Sequence, residues 1–353
     1  MNILLLSRYG RLGPSSRVRS YQYLPYLANQ GINVTVAPLL ENDYVQNLYT
    51  GKRKSPFTVI KSYFRRLNRL LHVREYDLIW VEYEIFPLLP AWAESLLVHQ
   101  GVPYVVDYDD AVFHRYEFHP NPLIRFLLHK KIDQVMKHAS TVIAGNEYLV
   151  QRASQAGAKH VEYLPSVIDL DQYKMAERSD NPIFTIGWIG SPVTSKYLNL
   201  IAPALAQVAE TGPIRVVLIG SGPVKLEGVP VEVQPWSEET QVDQMRTFDV
   251  GIMPLEDKPF ERGKCGYKLI QYMACGLPVV ASPVGVNTHI VEDGINGFLA
   301  QNPSDWIRAL MVLKNDAALR KRMGQAGRLK VEKEYCLQVT APKLVSILKR
   351  ILQ

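Results

Sequence analysis

At roughly 150 residues per domain, a chain of 353 residues has the length of about two domains and exceeds a single small binding module. With 47% hydrophobic and 21% charged residues, and glycine and proline spread throughout, the composition is that of an ordinary globular protein and excludes disordered, collagen-like and short-repeat chains. Lysine and arginine number 40 against 34 acidic residues, a net charge of +6 that is too mild to point to nucleic acid and compatible with phosphate ligands or an anionic membrane surface.

Cys265, Cys275 and Cys336 form neither a paired framework nor a Cys-x-x-Cys motif, which points to a reducing compartment and against a cysteine-based zinc site. The opening run MNILLLSR is too short for the apolar region of a signal peptide, and no window approaches the apolar length of a membrane span. The expectation is a cytoplasmic protein, neither secreted nor integral to a membrane.

Short apolar and β-branched runs recur at 2–7, 32–37, 77–81, 102–107 and 141–144, separated by stretches of helical length and pattern. The alternation predicts βαβ units and a parallel sheet. A second series at 184–190, 214–220, 231–233, 248–253 and 278–282 predicts a second α/β half. The polar stretch 169–182 (DLDQYKMAERSDNP) has no apolar period and marks the seam, and beyond about Trp306 the chain reads as helix to its end.

The first strand runs into RYGRLGPSSR (8–17) and then an apolar-periodic helix through Tyr23, Leu24 and Leu27. Glycines here let a ligand approach the backbone at a helix N-terminus; the alternative is a tight turn with Ser15 or Ser16 as helix cap. The pattern is not G-x-G-x-x-G, which speaks against a nicotinamide enzyme. Residues 57–73 place Ile60, Phe64, Leu67 and Leu71 at helical spacing, with Lys61, Arg65, Arg66 and Arg69 around the remainder. Such a helix either lies on anionic lipid or docks on the core with its charges in solvent, and 125–138 shares the ambiguity.

Glu82 and Glu84 end the third strand, on the side where ligands bind in open α/β sheets. YVVDYDD (104–110) brings Asp107 and Asp109 to the end of the fourth, either as ligand-facing carboxylates or as an acidic loop capping the next helix. His114 and His119 follow without metal-ligand spacing, each a surface or core histidine or an acceptor contact. Trp236 reads as a core residue or a stacking platform for a base.

The densest chemistry lies in 248–300: a strand (FDVGIM), a loop (PLEDKPFERG), a helix (KCGYKLIQYMA), a strand (PVVAS) and a loop (PVGVN). Gly276 and Pro278 stop the helix. Lys264 and Lys268, four apart, are expected on one face at the helix N-terminus, where cations are unfavourable unless an anion such as a diphosphate sits between them. Two exposed lysines without a ligand are the alternative.

The runs DVGIMPL, KLIQYMACGLPVVASPVG and EDGINGFL resemble the nucleotide-sugar-binding core of the family 4 glycosyltransferases, retaining enzymes of the GT-B fold. Weaker supports in the same order are the 10–17 turn, AGNE (144–147), LPSVID (164–169), GWIG (187–190) and IGSGP (219–223). The resemblance implies donor contacts from Gly13, Gly190, Ser191, Lys196, Gly220, Lys264, Gly266, Tyr267, Lys268 and Gln271. It implies catalytic roles for Asp109, Lys196 and Lys268, with Arg17, Glu82, Asp107 and His114 on the acceptor side.

Three departures from the family pattern stand out. Where members carry two glutamates eight positions apart, this chain has Gly263 and Gln271, leaving Glu261 as a substitute for the first. Gln271 can still bond a ribose hydroxyl. The arginine that pairs with a lysine on the diphosphate is Ser191, so Lys196, Lys264 and Lys268 form the expected cationic set. The histidine beside the sugar is Asp109, whose carboxylate could stabilise positive charge at the anomeric carbon or orient the acceptor hydroxyl.

The resemblance therefore implies two Rossmann-like domains facing a cleft: 1–168 on the acceptor side, with the helix 340–353 packing back on it, and 169–339 holding the nucleotide sugar. The implied activity is transfer from a nucleoside-diphosphate donor to a glycan or lipid-linked acceptor with retention, in surface polysaccharide or glycoconjugate synthesis, with no metal and no cofactor beyond the sugar nucleotide. Membrane contact through 57–73 at the inner face of the membrane is expected; a nucleic-acid partner is not. A nucleotide-sugar epimerase and a catalytically silent sugar-nucleotide-binding partner are the competing readings.

Overall fold

The computed structural model describes residues 1–49, 56–176 and 183–352, so part of the predicted seam, 177–182, and the last residue of the predicted terminal helix lie outside the described residues. The chain forms two compact units: unit 1 comprises Met1–Ser166, Arg262–Cys265 and Thr340–Gln353, and unit 2 comprises Val167–Glu261 and Gly266–Val339.

Unit 1 is built on a parallel six-stranded sheet of β1 (Asn2–Leu6), β2 (Asn33–Val36), β3 (Leu78–Glu82), β4 (Tyr104–Tyr108), β5 (Thr141–Ala144) and β6 (Val161–Tyr163), in the order β2-β1-β3-β4-β5-β6. Its inner strands are apolar without alternation because helices cover both faces; β3, β4 and β5 are buried at every position. The sheet packs Leu6, Val81, Val106 and Val142 in one core with Leu97, Val135 and Leu149 of the covering helices. The chain leaves β1 for β2 and returns on the other side with β3, so the C-terminal ends of β1 and β3 flank a switch point, where open α/β sheets bind ligands.

Unit 2 repeats the plan with β7 (Phe184–Ile189), β8 (Ile214–Ile219), β9 (Val231–Gln234), β10 (Val250–Met253), β11 (Val279–Ala281) and β12 (Gly297–Leu299), all parallel, in the order β12-β11-β10-β7-β8-β9. Its switch point lies between β7 and β10, where Val250 and Gly251 pair with Ile186 and Gly187. The edge strands β6 and β12 are absent from the sequence reading. Each has three residues, too few for a period to show.

Two local expectations are corrected. The helix Pro14–Arg19 is capped by Gly13 without a side-chain bond, because Ser15 and Ser16 turn their hydroxyls to Glu82 instead. The last helix, Leu337–Arg350, starts three residues earlier than predicted. From Thr340 onward it belongs to unit 1, where Leu344 and Leu348 are fully buried and the Thr340 hydroxyl lies 3.0 Å from that of Tyr23.

Candidate functional site

In unit 2 the loops after β7 and β8 meet beyond the C-terminal ends of those strands. Gly220 has φ +72, and a Cβ there would stand 2.5 Å from the Gly190 carbonyl oxygen and 2.9 Å from the Cβ of Trp236; only glycine lets these loops approach so closely. A Cβ on Gly190 would meet the Lys268 ammonium at 2.9 Å, and that ammonium lies 5.1 Å from the centre of the Trp188 ring. Gly190, Gly220, Trp236 and Lys268 are thereby brought together. Ser191 and Lys196 continue the Gly190 loop: the Ser191 amide donates to the Thr194 hydroxyl at 3.2 Å, and Lys196 is exposed with its ammonium 5.0 Å from the Tyr197 ring centre.

The helix expected to face a diphosphate is Tyr267–Ala274, opening at Gly266 with φ +64. That left-handed residue ends the helix on its N-terminal side, so Lys264 is not on a helical face with Lys268 as its spacing predicts. Lys264 instead belongs to unit 1, where its ammonium stands 3.7 Å from Asp110. The Asn146 amide holds that segment by donating to the carbonyls of Gly263 at 2.8 Å and Lys264 at 3.0 Å, while its oxygen caps the helix Glu147–Gln155. Tyr267 and Lys268 open the first turn of this helix, the end at which a helix dipole favours negative charge.

Gln271 is buried, its amide donating to the Tyr173 hydroxyl at 2.8 Å and to Gln241 at 3.3 Å, and Gln241 also accepts from the Trp236 indole at 3.0 Å. This relay fixes the Trp236 ring through a residue, Gln241, for which the sequence carries no motif. Glu261 is buried and accepts a hydrogen bond from the Tyr197 hydroxyl.

Unit 1 presents a different chemistry at the ends of β3 and β4. Glu82 accepts from Ser15 at 2.5 Å, Ser16 at 2.6 Å and the Arg8 amide at 2.8 Å, binding the Gly10–Arg17 turn to β3; burial pushes its carboxyl up. Asp107 is buried and held by Arg19, which also donates to the Leu164 carbonyl at 2.8 Å. Asp109 is partly exposed and accepts from the hydroxyl of Tyr83, a non-glycine residue held at φ +62. Loss of hydration to the surrounding protein, and then the like charge of Asp110, push the Asp109 carboxyl up to about 7. Among the described residues no three His, Cys, Asp or Glu side chains converge as metal ligands.

His114 is buried, with Nδ1 2.6 Å from Glu117 and Nε2 2.8 Å from the Tyr148 hydroxyl, and His119 accepts from the Asn121 amide at 3.1 Å. Arg17 is buried and donates to the Arg11 carbonyl at 3.4 Å, and Gly13 donates to Gly10 at 2.9 Å inside the same turn. Glu84, at the turn after β3, is buried between Lys131 at 2.5 Å and Arg8 at 3.2 Å. Burial opposes its charge, but these cations outweigh it and hold the carboxyl below its ordinary value. Arg19 and Tyr83, like Gln241, are site residues that sequence reasoning misses; each of the two reaches its aspartate only through the fold.

Residues 183–316, inside unit 2, match the family model described as glycosyl transferases group 1. The D-inositol 3-phosphate glycosyltransferase of Streptomyces bingchenggensis is 36% identical over 92 residues, 26% of this chain and 19% of that protein, so the chain spans about a fifth of this curated relative. Sucrose-phosphate synthase from Thermosynechococcus elongatus is similar over 99% of both chains, with a TM-score of 0.75 and 15% identity. The Anabaena protein HepE, in complex with UDP and glucose, is similar over 99% of both chains, with a TM-score of 0.72 and 17% identity. At these identities the likeness is one of fold, and the fold is GT-B.

Proposed function

From residues 183–316, which belong to the glycosyl transferases group 1, we propose that the chain as a whole is a glycosyltransferase that moves a sugar from a nucleoside-diphosphate donor to a glycan or lipid-linked acceptor with retention of configuration. The observation that carries this reading is the convergence of Gly190, Gly220, Trp236 and Lys268 beyond the C-terminal ends of the unit 2 strands. Two glycines give backbone access, a helix start and an ammonium suit a diphosphate, and an indole held by hydrogen bond suits a base.

Breaking the bond between the anomeric carbon and the diphosphate leaves negative charge on the phosphate and positive charge on the sugar. Lys268, Lys196 and the dipole of the Tyr267–Ala274 helix at its start would take up the first, without need of a metal. Asp109 would face the second or orient the acceptor hydroxyl, with Glu82 and Arg17 shaping the acceptor side. HepE holds UDP and glucose in its crystal, which supports uridine nucleotides as the first donors to try. An acceptor in surface polysaccharide or glycoconjugate synthesis, met at the inner face of a membrane, belongs to the same reading.

Calorimetric titration with nucleoside diphosphates and their sugars, with and without EDTA, tests it. Binding of one diphosphate irrespective of EDTA, weakened in Lys268→Ala, is the expected result; dependence on a divalent ion would sink the metal-free arrangement. Donor binding with neither hydrolysis nor transfer would favour a silent sugar-nucleotide-binding partner, and alteration of the free sugar nucleotide an epimerase.

A further inference from the structure

The helix Pro56–Leu70 is set into unit 1 the wrong way round for a soluble surface helix. Its apolar stripe faces solvent, with Phe57 75%, Phe64 67% and the following Leu71 74% exposed, while the inward side carries Ser62, Arg66 and Leu70. Arg66 is the anchor of this orientation: its buried guanidinium donates to the carbonyls of Ser7 at 2.7 Å and Ala37 at 2.9 Å. Burial pushes its pKa down to about 9, the mark of a cation kept inside at a cost that an apolar contact would not incur.

The exposed stripe does not stand alone. The Tyr63 hydroxyl of this helix donates to the Pro87 carbonyl at 2.7 Å, and next to it Leu88 is 55% exposed at φ +60, a strained backbone that holds a leucine out in solvent. The Leu88 amide in turn donates to the Tyr116 hydroxyl at 3.0 Å, on the helix Phe113–Glu117. That helix packs on Pro122–Leu128, whose Phe126 is 76% exposed beside Leu123 and Leu127. One run of contacts inside unit 1 thus joins two amphipathic helices and a strained loop, all presenting apolar side chains outward.

Within the two apolar segments the charge has one sign, and beside them Glu41 pairs with Arg65 at 2.7 Å. Residues 55–74 and 118–132 contain no aspartate or glutamate, yet they carry Lys61, Arg69, Arg74, Arg125 and Lys130. We propose that this face of unit 1 is a platform that lies on an anionic lipid leaflet, with the apolar side chains entering the acyl boundary and the cations meeting the headgroups. A second copy of the chain is a poorer occupant, since face-to-face pairing would set cation against cation with no carboxylate in either segment. No helix of the described residues is long and apolar enough to cross a membrane, so the platform lies on the surface. The inference deepens the membrane-face part of the transferase reading but uses none of the donor-site residues, so the two can fail separately.

The test is flotation of the full chain with unilamellar vesicles, either phosphatidylcholine alone or phosphatidylcholine doped with phosphatidylglycerol. Binding to the doped vesicles is expected to be at least about tenfold stronger than to neutral ones and to weaken with salt. Phe64→Asp combined with Phe126→Asp should lower it by about tenfold or more while leaving the melting temperature unchanged, because both rings are in solvent. Titration with UDP is a separate readout, so failure there would count against the donor site and leave the vesicle result standing. Absence of flotation, equal binding to neutral vesicles, or retention by the double variant would overturn the proposal. So would a dimer in analytical ultracentrifugation that the double variant dissociates, which would assign the face to a second copy.

Discussion

Arg19 and Asp107 close on each other inside unit 1, Nη2 to Oδ1 at 2.7 Å and Nε to Oδ1 at 3.1 Å, with side chains 3% and 2% exposed. The fold has taken a carboxylate from the end of β4, where a ligand would be expected, and used it to neutralise a cation. Asp107→Asn leaves Arg19 buried without its counter-charge and should destabilise unit 1 by about 3–5 kcal/mol, whereas replacing both residues by apolar ones of similar volume should cost far less. Urea unfolding of the three variants decides this, and a single variant as stable as the parent would show that the pair is hydrated.

Two residues further on, Asp109 carries the pH dependence. Its carboxyl is raised from 3.8 to about 7, so the fold favours its protonated form. That contribution is whole below the ordinary aspartate value and is lost as pH rises through about 7. Asp109→Asn should therefore leave the melting temperature unchanged near about pH 4 and raise it increasingly toward about pH 8. Tyr83→Phe removes a donor to the charged form and should move the transition to higher pH. A flat difference between Asp109→Asn and parent across this range would contradict the environment described.

Lys268 lies in a helix and Lys264 does not, although they are only four residues apart. Lys268→Ala should weaken diphosphate binding by roughly 1.5–3 kcal/mol, the worth of a charge-assisted contact. Lys264→Ala removes a partly exposed ion pair with Asp110 and should change stability by less than about 1 kcal/mol, with a smaller effect on affinity. Equal losses of affinity in the two variants, measured by calorimetry, would return Lys264 to the phosphate group.

Gly266 is the residue that ends the helix between them. At φ +64 a side chain is strained, and a Cβ would press on Ile290, so Gly266→Ala should cost about 1 kcal/mol or more of stability. Chemical denaturation gives the value; a neutral result would mean that the helix start relaxes to a right-handed geometry.

The parallel sheets were legible because their inner strands are buried on both faces and read as unbroken apolar runs, whereas β6 and β12 sit at edges with three residues each. The amphipathic pattern of 57–73 was equally plain, but a period cannot say which side points inward. The carbonyls of Ser7 and Ala37, distant in sequence, make that choice through Arg66. The same limit applies to the acidic strand ends. Glu82 and Asp107 stand where ligands bind, and nothing in the chain order announces that Ser15, Ser16 and Arg19 arrive first. The lysine spacing misled for a local reason: helical neighbours at i and i+4 require every residue between them to be helical, and Gly266 is not.

Neither unit is a continuous stretch of chain, since residues Thr340 onward complete unit 1 after all of unit 2 has been laid down. Domains made on the ribosome generally fold as they emerge, the N-terminal one first. Here the buried Ala341, Leu344 and Leu348 that finish unit 1 leave the ribosome after unit 2 is already outside. The first-made unit is thus the last that can finish folding, with an apolar seat awaiting its helix for the whole time that unit 2 is being synthesised.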